Sequence, residues 1–173
     1  INLLLNNSEL DRLKINNELN KISNYFIDKN IEFTKLEELL NSRINENFNL
    51  IKDTALKGNS ELTNKLLGST IFENEKIPLY LNMINQRLNR LKELVMLSKK
   101  TNLSNAINLV KPPIFWKDKP NFIDQAKIWN NNSLTVAQEK IYELELKIKS
   151  NSDINKNILI KKFLLDICLM ART

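Results

Sequence analysis

The sequence predicts an all-α protein, a small helical unit followed by an all-helical bundle of about six helices, and three observations predict it. The 173 residues include two glycines and four prolines, against average shares of about 7% and 5%, so few positions suit tight turns. Apolar residues recur at three-to-four-residue steps along most of the chain. Between the periodic stretches stand Asn, Ser, Asp and Pro, the residues that start and stop helices. A chain of this length suffices for one medium domain, or one domain with part of another, and for a real core.

The elements follow in order. Ser8 is a candidate cap for a first helix running to about Asp28, with Leu10, Leu13, Leu19, Ile22 and Phe26 as its apolar positions. Thr34 and Glu37 have capping-box spacing for a helix reaching about Arg43. A third helix starts near Glu46, carries Phe48, Ile51, Ala55 and Leu56, and stops at Lys57-Gly58-Asn59, where glycine suits a left-handed cap. Ser60 is the predicted cap of the next, which carries Leu62, Leu66 and Leu67 and ends near Gly68. From Pro78, a first-turn residue, the longest helix places Leu81, Ile84, Leu88, Leu91 and Val95 in a 3-4-3-4 seam. Arg87, Arg90, Lys92, Lys99 and Lys100 lie largely off that seam.

A short helix from Asn102 to Val110 ends at Lys111-Pro112-Pro113, because a residue before proline is pushed out of the helical region. Asp118 and Pro120 restart the helix with Phe122, Ala126 and Trp129 in register. Ser133 is the predicted cap of a helix striped by Leu134, Ala137, Ile141, Leu144 and Ile148. Asp153 is the predicted cap of the last, which becomes apolar nearly all round from Phe163 to Met170, as a helix buried in a bundle or an oligomer does. The boundary between the small unit and the bundle is expected between Asn41 and Glu46, giving units at 1–44 and 46–173.

Composition excludes several functions. The chain has no histidine, which removes Ser/His/Asp and Cys/His catalysis and any His-based metal site. Gly58 and Gly68 stand alone without a Walker-type lysine, so no phosphate-cradling loop is formed. Glu37/Glu38 and Glu143/Glu145 fall on helix faces beside lysines, a structural pattern. No catalytic residue, metal site or cofactor is expected. No run of about 18 apolar residues could span a bilayer, and the single Cys168 sits in the apolar run FLLDICLM as a small core residue. A protein of the reducing cytoplasm with no membrane partner is expected. Ile1 in place of Met, at the start of the run INLLL, suggests a piece of a longer protein. The 26 Lys+Arg against 20 Asp+Glu leave a net charge of +6, compatible with nucleic acid or with a solvated basic surface.

The segment KPPIFWKDKPNFIDQAKIW, Lys111 to Trp129, interrupts this helical pattern. Trp116 lies among Lys111, Lys117 and Lys119, an aromatic among cations of the kind that stacks on an unpaired base while lysines hold phosphates. The alternative is that Phe115 and Trp116 plug a gap between helical hairpins. Trp129, in register with Phe122, reads as core. Arg87 and Arg90 are either a solvated face or contacts to a neighbouring subunit, and the apolar face carrying Phe163, Leu164 and Ile167 is the other candidate interface.

The order of segments resembles the delta subunit of the bacterial DNA polymerase III clamp loader, in its C-terminal half. The resemblance is carried in succession by SELDRLKINNELNKISNYF (with Asn17, Glu18, Leu19, Lys21, Ile22 and Tyr25), FNLIKDTALKGNSELTNKLL (with Ile51, Ala55, Leu56, Gly58, Asn59 and Leu66), IPLYLNMINQRLNRLKELVMLSKK, KPPIFWKDKPNFIDQAKIW, the helix ending in LELKIK, and ILIKKFLLDIC. It implies that residues 1–44 belong to a small AAA+ lid-like domain and 46–173 to a helical collar that joins five subunits in a ring.

In this family the subunit has no working ATP site and acts in DNA replication. It helps load the sliding clamp, which it binds through its first domain, onto primed DNA. Its classification as a DNA-directed DNA polymerase, a nucleotidyltransferase, comes from membership of the holoenzyme, so the resemblance implies no catalytic residue here. The partners implied are the other loader subunits, the clamp and primed DNA, with Trp116 and its lysines as contacts to template. A second aromatic expected before the last helix has no match at Lys149-Ser150-Asn151. The competing readings are a stand-alone helical nucleic-acid-binding domain and a helical scaffold with no nucleic-acid role.

Overall fold

The computed structural model describes residues 12–27, 30–40, 42–150 and 155–172. Every regular element among them is helical: α1 (Arg12–Tyr25), α2 (Phe33–Leu39), α3 (Ser42–Leu56), α4 (Ser60–Ser69), a 3-10 turn (Asn74–Lys76), α5 (Ile77–Ser98), α6 (Leu103–Leu109), α7 (Lys119–Ile128), α8 (Asn131–Ser150) and α9 (Lys156–Met170). The part from residue 42 onward holds seven described α-helices where about six were expected. None of the described helices is long and apolar enough to cross a membrane.

Helix α5 organises the bundle. Pro78 occupies its first turn, where a missing N–H costs nothing and the fixed φ suits the helix. The predicted seam is buried from Leu81 through Ile84, Leu88 and Leu91 to Val95, each large residue contributing about 1.5–3 kcal/mol relative to exposure. Around it α5 packs along α8 and α6 and touches α7 and α9, while α9 lies against α3, α4 and α8. A continuous buried core runs from Phe48 to Ala171. Ile22 on α1 and Leu40 after α2 are buried outside that core.

The corner between α3 and α4 accounts for every carbonyl that the end of α3 leaves over. Lys57 N–H donates to the Asp53 carbonyl (3.1 Å), Asn59 N–H to Thr54 (3.2 Å) and Gly58 N–H to Ala55 (2.9 Å). Gly58 sits at φ +70°, the left-handed cap that its sequence position predicted. The fourth carbonyl, Leu56, accepts from the indole Nε1 of Trp129 at 2.8 Å, so α7 closes the end of α3.

Several expected boundaries move. Asn59, rather than Ser60, caps α4 by accepting from Leu62 N–H. Ser60 instead accepts from Arg172 Nη1 (3.1 Å) and lies 3.6 Å from Cys168 Sγ. Asn130, rather than Ser133, starts α8: its side chain accepts from Ser133 N–H (2.9 Å) while Ser133 Oγ accepts from Asn130 N–H (3.2 Å). Asn155 caps α9. The expected caps Ser8 and Asp153, the expected helix end Asp28 and the Glu37 side chain lie outside the described residues. Thr34 is inside α2, which begins one residue earlier, and α3 begins before Glu46.

Two expected apolar faces also differ. On α1 Ile22 is buried and Phe26 half-buried, but Leu13 and Leu19 are exposed. On α9 the residues Phe163, Leu164, Ile167 and Cys168 are buried within the chain's own core, whereas Leu169 is exposed. Cys168 is a free buried thiol, as its apolar run predicted.

Candidate nucleic-acid interface

The segment joining α6 to α7 is built from both ends inward. Asn102 caps α6 by accepting from Asn105 N–H, and Val110 leaves the helix in extended conformation before Lys111-Pro112-Pro113. The Lys111–Pro112 bond is cis. At the far end Pro120 lies in the first turn of α7. Between them Asp118 N–H donates to the Phe115 carbonyl (2.9 Å), turning the chain so that Phe115, Trp116 and Lys117 form the apex.

Ile114, just before the apex, is buried, Phe115 is half-buried and Trp116 is 67% exposed. The gap between the helices is therefore plugged by Ile114, and Trp116 is not part of the plug. Lys117 Nζ lies 5.4 Å from the Trp116 ring centroid, within cation–π reach. The Phe115 ring is 5.8 Å from it, tilted by 50°. Lys111 is exposed and its N–H donates to Glu93 Oε1 at 3.3 Å. Lys119 is half-buried, with Nζ 2.6 Å from Asn108 Oδ1. Of the three lysines, then, Lys117 stands beside the indole while Lys119 ties the start of α7 back to α6.

The two arginines of α5 lie beneath this segment. Arg87, expected on a solvated or subunit-facing surface, is 5% exposed and engaged within the chain. Its Nη2 is 2.6 Å from Asp53 Oδ1, its Nη1 is 4.0 Å from Asp118 Oδ2, and its guanidinium lies over the Phe122 ring at 3.7 Å. Gln125, fully buried, adds Nε2 to Asp53 Oδ1 at 3.3 Å. Arg90 is half-buried, 5.5 Å from the same ring, and donates from Nη2 to the Pro112 carbonyl at 2.6 Å. Phe163, Leu164 and Ile167, the other interface candidates, find their neighbours in the core described above.

Asp53, Gln125 and Glu93 were not singled out from the sequence. A signal was there for Gln125, as there was for the buried position of Arg87. Gln125 stands three residues after Phe122, and Arg87 three after Ile84 and four before Leu91, so both share the inward face of their helices.

Chemically the apex offers a π surface with the Lys117 cation beside it. Such a surface takes up a planar base, at about 1–3 kcal/mol per stacked base. Among the described residues no group of three or more Cys, Asp or Glu side chains could hold a metal ion. No protein-family model, curated protein or solved structure matches the chain.

Proposed function

We propose that this chain is the lid-like and collar part of a clamp-loader delta subunit, a non-catalytic protein that helps place the sliding clamp on primed DNA. Supporting this reading is the succession of segments from SELDRLKINNELNKISNYF to ILIKKFLLDIC, which follows the family's order through the chain. The described core joins residues of every helix from α3 to α9, as one helical bundle over the expected collar would. In such a subunit the bundle holds its place in a pentameric ring while the AAA+ domains move on ATP binding and release. The finer division into units at 1–44 and 46–173, the cytoplasmic location and the hetero-pentameric partners belong to this proposal.

The observation that carries its nucleic-acid part is the exposed indole of Trp116 beside Lys117. Template or single-stranded DNA at the primer junction is the matching partner. The same observation favours a second reading, a helical domain that binds nucleic acid on its own.

Reconstitution separates the two. The full-length protein containing this chain is mixed with the other clamp-loader subunits and the sliding clamp, and complexes are sized by gel filtration with light scattering. A defined pentamer that captures the clamp is expected. A monomer that ignores both partners sinks the loader reading, and salt-sensitive binding of single-stranded DNA by that monomer supports the second.

A further inference from the structure

The apex that presents Trp116 is held in a polar frame. On the α6 side, Lys111 N–H is held by Glu93 and the Pro112 carbonyl by Arg90. On the α7 side, Asp118 N–H closes the turn onto Phe115, Arg87 approaches the Asp118 carboxylate, and Lys119 returns to Asn108. Both Arg90 and Glu93 come from α5, whose seam is buried in the core. A short loop tied on both flanks to a rigid helix keeps its apex in one place, which is what a stacking surface needs if binding is not to cost the ordering of the loop.

We infer that Arg90 is a positioning residue for nucleic-acid binding: its guanidinium holds the Pro112 carbonyl and leans on Phe122, fixing the direction in which Trp116 faces a base. This rests on the nucleic-acid reading of the Trp116 loop. Arg90 suits the role better than lysine would. A planar guanidinium can donate to the carbonyl and lie against an aromatic face together, whereas an ammonium is a point charge without that plane. Its bond to Pro112 is charge-assisted and 2.6 Å long, a stronger tie than a neutral one. Arg90 acts on the loop from below and needs no contact with phosphate.

The consequence separates positioning from simple attraction. A lysine or arginine that neutralises a phosphate contributes to the salt dependence of binding, and its loss lowers that slope by about 1. A residue that only orients the stacking ring changes affinity without changing the slope.

The test uses the whole chain and fluorescein-labelled oligodeoxythymidylate, with affinity measured across a salt series and tryptophan emission followed during titration. Trp129 is buried, so quenching by a stacked base reports Trp116. Trp116→Ala is expected to weaken binding by about tenfold. Arg90→Ala and Arg90→Lys are both expected to weaken it severalfold, to reduce the quenching of Trp116, and to leave the salt slope as in the unsubstituted chain. Lys117→Ala is expected to lower the slope.

Restoration of full affinity and quenching by Arg90→Lys, or a slope reduced by Arg90→Ala, overturns the positioning role in favour of a charge contact. Unchanged binding in both Arg90 variants, with Trp116→Ala still defective, overturns it while leaving the stacking reading intact. Binding that is absent, or indifferent to Trp116→Ala, overturns both. Urea unfolding of each variant checks that the fold is retained, and a variant that is unfolded before urea is added contradicts a role confined to the loop.

Discussion

Trp116 and Trp129 bound the same short segment, yet the chain uses them in opposite ways. Trp129, 3% exposed, ends α7 and gives its indole N–H to the Leu56 carbonyl, the last orphan acceptor of α3. Trp116 is 67% exposed and meets Phe115 and Lys117. A tryptophan whose polar edge finds a helix-end carbonyl and whose rings find a core is a structural joint. One held out of the core by a loop tied at Lys111, Pro112 and Lys119 faces solvent, where the proposed stacking partner would meet it. Surrounding chemistry, and not residue type, separates the two.

The sharpest way to break this contrast is Trp129→Ala. It removes a buried ring and orphans the Leu56 carbonyl, and is expected to cost about 3–5 kcal/mol in urea unfolding. A loss below about 1 kcal/mol would mean that the joint is not structural.

Next in size is Arg87→Ala, which breaks the pair with Asp53 and uncovers the Phe122 ring. About 3 kcal/mol is expected, at the low end for a buried pair because the Asp53 side chain keeps some contact with water. Arg87→Ala that unfolds at the same urea concentration as the parent would place Arg87 outside the framework of the loop.

A third aromatic sharpens the comparison from the core side. Tyr80 stacks on Phe48 at 4.3 Å, and burial, with the Glu73 carboxylate adding to it, raises its hydroxyl above its ordinary value of 10.0. The folded state then holds the proton more tightly than the unfolded one. This contribution to stability is complete below pH 10.0, and is lost as the pH rises through the folded value. Tyr80→Phe should therefore unfold with a shallower alkaline decline than the parent, in melts taken on either side of that pH. Identical declines would contradict the shift.

Much of the scaffold was legible in the residues. The α5 seam, the Pro78 start, the Gly58 cap, the α6 limits at Asn102 and Val110, and the inward Trp129 and Cys168 each follow from one local rule that no neighbour opposes. The misplaced caps share a cause. Asn59 beside Ser60 and Asn130 near Ser133 offer two competent caps within a turn, and spacing alone does not choose between them. At α4 the choice falls to the Gly58 turn, which leaves Asn59 at the boundary.

The charge of Arg87 points to a surface, although its position between Ile84 and Leu91 belongs to the buried face. Its partner Asp53 lies far away in sequence, and a pairing over that separation is set by how α3 and α5 pack. In the same way Ile114, Phe115 and Trp116 are three adjacent apolar residues, any one of which could have filled the gap. The Arg90–Pro112 and Lys111–Glu93 ties, invisible as motifs, accompany an arrangement in which Ile114 fills it and Trp116 stays out.

The most direct measurement is primed-template binding by the proposed loader assembly carrying Trp116→Ala, with assembly sized in the same sample. The expected result is an intact pentamer, stability within about 0.5 kcal/mol of the parent, and DNA binding weakened by the 1–3 kcal/mol or so of one stacked base. Unchanged DNA binding, or an assembly that falls apart, would contradict the assignment of the Trp116 loop as a nucleic-acid surface.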